Sequence, residues 1–151
     1  MEIVTERLII TPCTNEWVPK LKKQGYDNGP EIRNHLTALA KDQSLAHWGS
    51  WLVIRKSDDA IVGDIGFKGK PNAMKQVEVG YGMMEQYRHR GYATEAVAAL
   101  IDWAITLKEV NTVIAETETE NAGSIRVMVK VKMKKTIETQ SMMLWERSKE
   151  I

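Results

Sequence analysis

Apolar and polar positions along the chain divide into short strand-like runs and longer stretches of helical period. Arg7-Leu8-Ile9-Ile10-Thr11 is a brief apolar run stopped by Pro12 and predicts a first strand. Thr14 or Asn15 is placed to cap a helix to about Lys23, which Gly25 would end. Tyr26-Asp27-Asn28-Gly29-Pro30 is rich in turn formers. Ile32, Leu36, Leu39 and Ala40 recur at helical spacing from Glu31 to about Lys41. Trp51–Arg55 predicts a strand, Lys56–Asp59 a turn and Ala60–Phe67 the returning strand. The glycines of that second strand imply close approach of another backbone, or a bulge. After a loop at Lys68–Lys75, Val77–Met83 alternates. Val77, Val79, Tyr81 and Met83 share one face, and Glu78, Gly80 and Gly82 the other.

The second half continues with a helix from Gly91. Ala93, Ala96, Val97, Leu100, Ile101 and Ala104 form its apolar stripe. Asn111–Glu116 predicts a strand, and Gln140–Glu146 a last one. Between them the signals conflict. Val127, Val129, Val131 and Met133 alternate with Met128, Lys130, Lys132 and Lys134, which is strand period, yet Asn121 is a good cap for a helix over Ala122–Val131. We adopt the helix. Strand pairs followed by alternating strands and helices predict an α+β fold with a mixed, mostly antiparallel sheet flanked by helices. At 151 residues the chain suits a single domain, 1–151, with one core.

Charge narrows the function classes. Lys plus Arg number 21 against 20 Asp plus Glu, so no overall field draws the protein to nucleic acid or an anionic membrane. No apolar stretch approaches the roughly 20 residues of a bilayer span, and the N-terminus lacks signal-peptide character. We therefore expect no nucleic-acid and no membrane partner, and a cytoplasmic location. The lone cysteine, Cys13, cannot form an intrachain disulfide; it is either a nucleophile or a half-buried packing residue beside Pro12. His35, His47 and His89 have no metal-ligand spacing, so no metal is expected.

Chemistry concentrates in Val79–Ala96. A strand ends, a basic turn follows and a helix opens at Gly91. A helix start leaves amide N–H groups unpaired with partial positive charge behind them, which suits phosphate. Gly91 and Ala93 let an anion approach the backbone, and Arg88 and Arg90 add fork-shaped donors. The turn reads as a diphosphate cradle, or else as a solvated turn before a helix.

Arg88-x-x-Gly91-x-Ala93 resembles the acyl-CoA signature of the GNAT superfamily of N-acetyltransferases, Arg/Gln-x-x-Gly-x-Gly/Ala. Thr5-Glu6-Arg7-Leu8, Gly63-Asp64-Ile65-Gly66, Gly80-Tyr81-Gly82, Gly91-Tyr92-Ala93-Thr94-Glu95-Ala96 and Asn121-x-x-Ser124 follow in the family's order. The nearest branch is similar to the ribosomal-protein N-terminal alanine/serine acetyltransferases. The resemblance implies splayed central strands, Val77–Met83 and Asn111–Glu116, with acetyl-CoA as co-substrate between them. It implies that Gly82, Met83 and Met84 face the pantetheine arm. Arg88, His89, Arg90, Gly91, Tyr92, Ala93 and Thr94 would hold the diphosphate, and Asn121 and Ser124 would lie near the thioester. One departure is plain: where relatives carry Lys-x-Gly-aromatic, this chain has Lys130-Val131-Lys132-Met133.

The implied reaction passes acetyl directly to an amine, which must first lose a proton. Glu78 is the first candidate base and Glu116 the second. A backbone N–H near Met83 or Met84 is the expected oxyanion donor. No tyrosine follows Tyr92, so the proton donor many relatives use for the departing thiolate is missing, and Ser124 is the nearest replacement or else a helix-start residue. Asn121 reads as a cap that can also touch pantetheine. Trp48 and Trp51 either pack in the core or line an acceptor site. Partners are an amine acceptor, small molecule or protein N-terminus, and the state monomer or homodimer. The alternatives are a non-catalytic acyl-CoA-binding protein of this fold and a nucleic-acid module using the basic run Arg126–Lys135.

Overall fold

The computed structural model describes residues 1–149. In chain order its strands are β1 (Ile3–Val4), β2 (Leu8–Pro12), β3 (Ser50–Arg55), β4 (Ile61–Phe67), β5 (Gln76–Met83), β6 (Thr112–Glu118), β7 (Lys134–Glu138) and β8 (Met142–Ser148). Its helices are α1 (Val18–Gln24), α2 (Glu31–Lys41), α3 (Tyr92–Ile105) and α4 (Ala122–Lys130). The strands lie in the order β1-β2-β3-β4-β5-β6-β8-β7. Among the described residues only β5 and β6 run parallel; the other pairings are antiparallel. The expected α+β, mostly antiparallel sheet is thus present.

Each face of the sheet has its own apolar layer. Val79, Met83, Val97, Leu100, Ile101 and Met128 belong to the layer under α3 and α4. Cys13, Leu21, Leu52, Ile54 and Ile61 form the smaller layer under α1 and α2. Trp51 is fully buried and meets Trp103 of α3 edge-on at 5.0 Å, so its role is packing. Cys13 is fully buried, not half-buried, and burial, with Asp64 nearby, pushes its thiol up to about 12, which removes it as a nucleophile. Among the described residues no helix is long and apolar enough to cross a membrane, and no group of His, Cys, Asp and Glu could hold a metal ion.

One departure from the sequence reading, and the resolution of its one conflict in favour of the helix, have local causes. Thr14 makes no side-chain cap; a 3-10 turn at Asn15–Trp17 leads into α1, which Gly25 ends in the left-handed conformation as expected. The alternation at Val127–Lys134 is not a strand: Asn121 Oδ1 accepts from the Ser124 N–H at 3.0 Å and α4 forms. Lys132 then takes the left-handed position (φ 66°) at the place where the resemblance implies glycine, and Met133 is buried where it implies an aromatic. The exposed edge strand β7 follows, which the sequence reading did not anticipate.

Candidate active site

β5 and β6 pair at Gln76↔Thr112, Val77↔Val113 and Glu78↔Ile114, and then part while both continue. Each keeps its antiparallel neighbour. β5 stays zipped to β4 from Phe67↔Val79 to Gly63↔Met83, and β6 to β8 as far as Glu118↔Met142. The slightly weaker parallel ladder is the one that opens.

The direction of the β5 backbone follows from its bonds to β4 and the turn behind it. The Lys68 N–H donates to the Glu78 carbonyl and the Met84 N–H to the Val62 carbonyl, both at 2.9 Å. Even-numbered residues of β5 therefore face β4, and antiparallel alternation aims the amides of Tyr81 and Met83 into the gap. Met84 has spent its N–H, which leaves Met83 as the donor facing the cleft. The Met83 carbonyl accepts from Arg88 Nε at 3.1 Å, so Arg88 braces the strand end as well as charging the turn.

Past that strand end the chain turns through His89 (φ 63°) to Gly91 (φ 81°), which precedes α3. Among the described residues no acceptor is found for the amide N–H groups of His89, Arg90, Gly91, Tyr92, Ala93 or Thr94; the first paired amide is that of Glu95, donating to the Gly91 carbonyl at 3.1 Å. A run of free amides at the start of a helix, with a left-handed glycine among them, fits a diphosphate. The turn is pinned from outside. The Arg7 guanidinium pairs with Glu95 at 2.7 Å, donates to the Arg90 carbonyl at 2.9 Å and stacks 4.6 Å from the Tyr92 ring centre. Glu95 also accepts from the Thr5 hydroxyl at 2.5 Å and the Arg7 N–H at 2.9 Å. Burial alone would raise the Glu95 carboxyl, but these donors and the guanidinium hold it below its ordinary range. Tyr92 is buried beneath the turn and offers its amide, not its ring.

Inside the parting strands lies a cavity of about 620 Å³. Gly66, Gly80 and Gly82 give part of its surface little side-chain bulk, and Trp48, Ser124 and Met128 also line it. Gly66 allows the strands to meet closely: a Cβ there would lie 2.0 Å from the Gly49 carbonyl oxygen. Tyr81 also lines the cavity; burial raises its hydroxyl above the ordinary range, with the nearby Ser124 side chain opposing the shift. Of the two glutamates singled out from sequence, Glu116 is exposed and lines the cavity. Glu78 does not line it; its carboxylate is ion-paired to Lys68 at 2.6 Å. Gly82, Glu116 and Ser124 thus share the cavity, Met83 to Thr94 continue beyond it, and Asn121 is spent on its cap.

Sequence reasoning missed the opposite wall. Asp64 is 7% exposed, and its Oδ1 accepts from the Tyr26 hydroxyl at 2.5 Å and from Asn28 Nδ2 at 3.0 Å. Asn28 Nδ2 also reaches the Gly82 carbonyl at 2.8 Å, tying this wall to β5. Burial raises the Asp64 carboxyl above its ordinary range; the Tyr26 and Asn28 bonds oppose this and nearby Glu31 adds to it. The available signal was a charged residue inside an otherwise apolar central strand.

Comparison with known proteins fits this geometry. The acetyltransferase (GNAT) domain family matches residues 7–134. The chain belongs to that family of acetyl-CoA-dependent acyltransferases. It is 31% identical over 120 residues to the uncharacterised N-acetyltransferase YjdG of Bacillus subtilis, covering 74% of this chain and 71% of that protein. In fold it is similar to a ribosomal-protein alanine acetyltransferase from Vibrio fischeri, with TM-score 0.79 and 14% identity over 98% of this chain and 96% of the other. RimL, a ribosomal alpha-N-protein acetyltransferase solved in complex with coenzyme A, gives TM-score 0.79 at 14% identity over 98% of both chains.

Proposed function

We propose that the protein transfers the acetyl group of acetyl-CoA directly to an amine held in the cavity between β5 and β6. The observation that carries this reading is the run of unpaired amides from His89 to Thr94, placed just beyond the strand end whose Met83 N–H faces the gap. These amides, with Arg88 and Arg90, would hold the diphosphate, and the gap-facing backbone of β5 around Tyr81 the pantetheine arm.

The residues then divide the work. Acetyl-CoA supplies the thioester. Glu116, on the cavity wall and in solvent contact, takes a proton from the acceptor ammonium, directly or through water, and frees the nitrogen lone pair. Glu78 is held by Lys68, so Glu116 stands ahead of it as the base. The Met83 N–H donates to the acetyl oxygen as negative charge develops there. Ser124, which shares the cavity wall with Tyr81, supplies or relays the proton to the departing sulfur. The buried thiol of Cys13 fits a reducing compartment, the cytoplasm. RimL and its relatives make a protein N-terminus one candidate acceptor.

The test is free-thiol release from acetyl-CoA with a panel of amines and N-terminal peptides. Glu116→Gln keeps size and removes basicity, so turnover should fall by about a hundredfold to ten-thousandfold, with CoA affinity unchanged. An unaltered rate and pH profile would take the role from Glu116.

A further inference from the structure

The cavity has two acidic walls separated by a strand that presents no acidic side chain to it. Glu116 stands on β6 on one side. Asp64 of β4 and Glu31 of α2 stand on the other, with Gly80 and Gly82 of β5 between them. Among the described residues Lys68 is the only lysine or arginine lining the cavity, and it is already paired with Glu78 at 2.6 Å. Asp64 is the unusual member. Most of it is buried, yet among the described residues no lysine or arginine pairs with it, both its donors are neutral, and its second oxygen, which receives no hydrogen bond, is open to solvent. A buried carboxylate with its charge left uncompensated is costly, and proteins keep one where a cation or a proton completes it. Tyr26 and Asn28 both bond to Oδ1, and Asn28 anchors the group to the Gly82 carbonyl.

From this arrangement we infer that Asp64 binds a second positive charge of the acceptor, so that the preferred substrates are aliphatic diamines and longer polyamines rather than amines that carry a carboxylate. The inference rests on the acetyltransferase reading above and specifies its acceptor. One ammonium sits against Asp64 and Glu31; the other lies toward Glu116, loses its proton there and receives the acetyl group. β4 and β6 flank β5; two ordinary strand spacings are about 10 Å, and the parting of β5 from β6 widens the gap further, so an aliphatic chain with a nitrogen at each end spans it with the carboxylate side chains reaching in from both walls. A carboxylate on the acceptor would meet Asp64, Glu31 and Glu116 with no unpaired cation to receive it. Asp64 is therefore a specificity-determining residue, acting on the end of the acceptor that does not react.

The experiment compares putrescine, n-butylamine and γ-aminobutyrate as acceptors for the full chain, and measures putrescine binding to the CoA-loaded protein by calorimetry. Putrescine should exceed n-butylamine by about tenfold or more in kcat/KM, the scale of one desolvated charge pair, and γ-aminobutyrate should rank last. In Asp64→Asn, which keeps an acceptor oxygen for Tyr26 and Asn28, the putrescine preference should fall to near one and calorimetric binding should weaken by a similar factor. Glu31 is exposed, so Glu31→Gln serves if Asp64→Asn does not fold; it should cut the preference a few-fold. Equal use of putrescine and n-butylamine, or an undiminished preference in the variant that folds, would overturn the inference while leaving amine acetylation intact. Absence of CoA binding would instead sink the acetyltransferase reading, and putrescine calorimetry on the same protein would still judge the Asp64 site.

Discussion

The two ends of the cleft are built from different material. At the α3 end, one short segment supplies backbone amides, and its exposed arginines decorate the turn. At the α2 end, side chains from β4, the loop before α2 and α2 itself converge on one buried carboxylate. A backbone site depends on conformation, so it is broken by changing φ or by filling space. A side-chain site depends on charge, so an isosteric swap alters it without disturbing the fold.

The largest effect is expected at Gly91. Gly91→Glu places a carboxylate in the cradle and forces a left-handed φ on a non-glycine residue, so CoA affinity should fall by about a hundredfold or more, worth about 2.7 kcal/mol. Gly91→Ala carries the conformational cost, about 1–2 kcal/mol of stability, and brings its Cβ within 3.2 Å of the Arg7 guanidinium, which must shift slightly, but it adds no charge and should weaken CoA less. Calorimetry with the two variants separates charge from strain; equal losses would mean that the anion does not sit there.

Glu95 comes next, because it ties the turn to β2. Glu95→Ala strands the Thr5 hydroxyl and the Arg7 donors, and should cost about 2–3 kcal/mol by denaturant unfolding. Its pH dependence has a fixed sign. The folded carboxyl lies below its unfolded value near 4.5, so its stabilisation is complete above that pH and is lost as pH falls through the folded value. Wild type and Glu95→Gln should therefore differ most near neutrality and converge in acid; a constant gap would contradict the linkage.

Lys132 offers a structural contrast to Gly91, since both hold left-handed backbone. Lys132→Gly relieves strain at the end of α4 and should stabilise the protein by about 1 kcal/mol, raising Tm by about 2–4 °C, without changing CoA affinity. A loss of stability would show that Lys132 is held by contacts and not tolerated against strain.

The smallest effect on stability is expected at Asp64, with opposite sign to Glu95. Its folded carboxyl lies above the ordinary value, so the cost of its charge is complete only above the folded value and disappears as pH falls through the folded and then the unfolded value. Asp64→Asn should melt slightly above wild type near pH 7, and the gap should close in acid. A clear fall in Tm at neutral pH would mean that the carboxylate stabilises the fold and is not reserved for a ligand.

The same contrast explains what could be read from the sequence. Arg88–Ala96 is one continuous segment whose spacing encodes strand end, turn and helix start, so its local geometry was legible. So were the alternation along β5 and the Asn121 cap. Tyr26, Asn28 and Asp64 lie up to 38 positions apart, and only the tertiary fold brings them together. Tyr26 and Asn28 read as turn formers. The partnership of Arg7 with Glu95 was hidden likewise, across 88 positions. Glu78 carried a clear sequence signal, a carboxylate among glycines, but Lys68, which engages it, follows the far end of the neighbouring strand. At α4 the strand-like alternation yielded to the cap and to Met128 and Val131 packing inward, while Lys132 took a conformation that its residue type disfavours.

The most direct test of the central claim is an amide-resolved NMR titration of the protein with CoA. The N–H groups of His89 through Thr94 should shift in saturable fashion with a common dissociation constant and slow their hydrogen exchange, as unpaired donors gaining phosphate oxygens would. Saturable binding that leaves those amides unshifted and still exchanging rapidly would contradict the cradle and place CoA elsewhere.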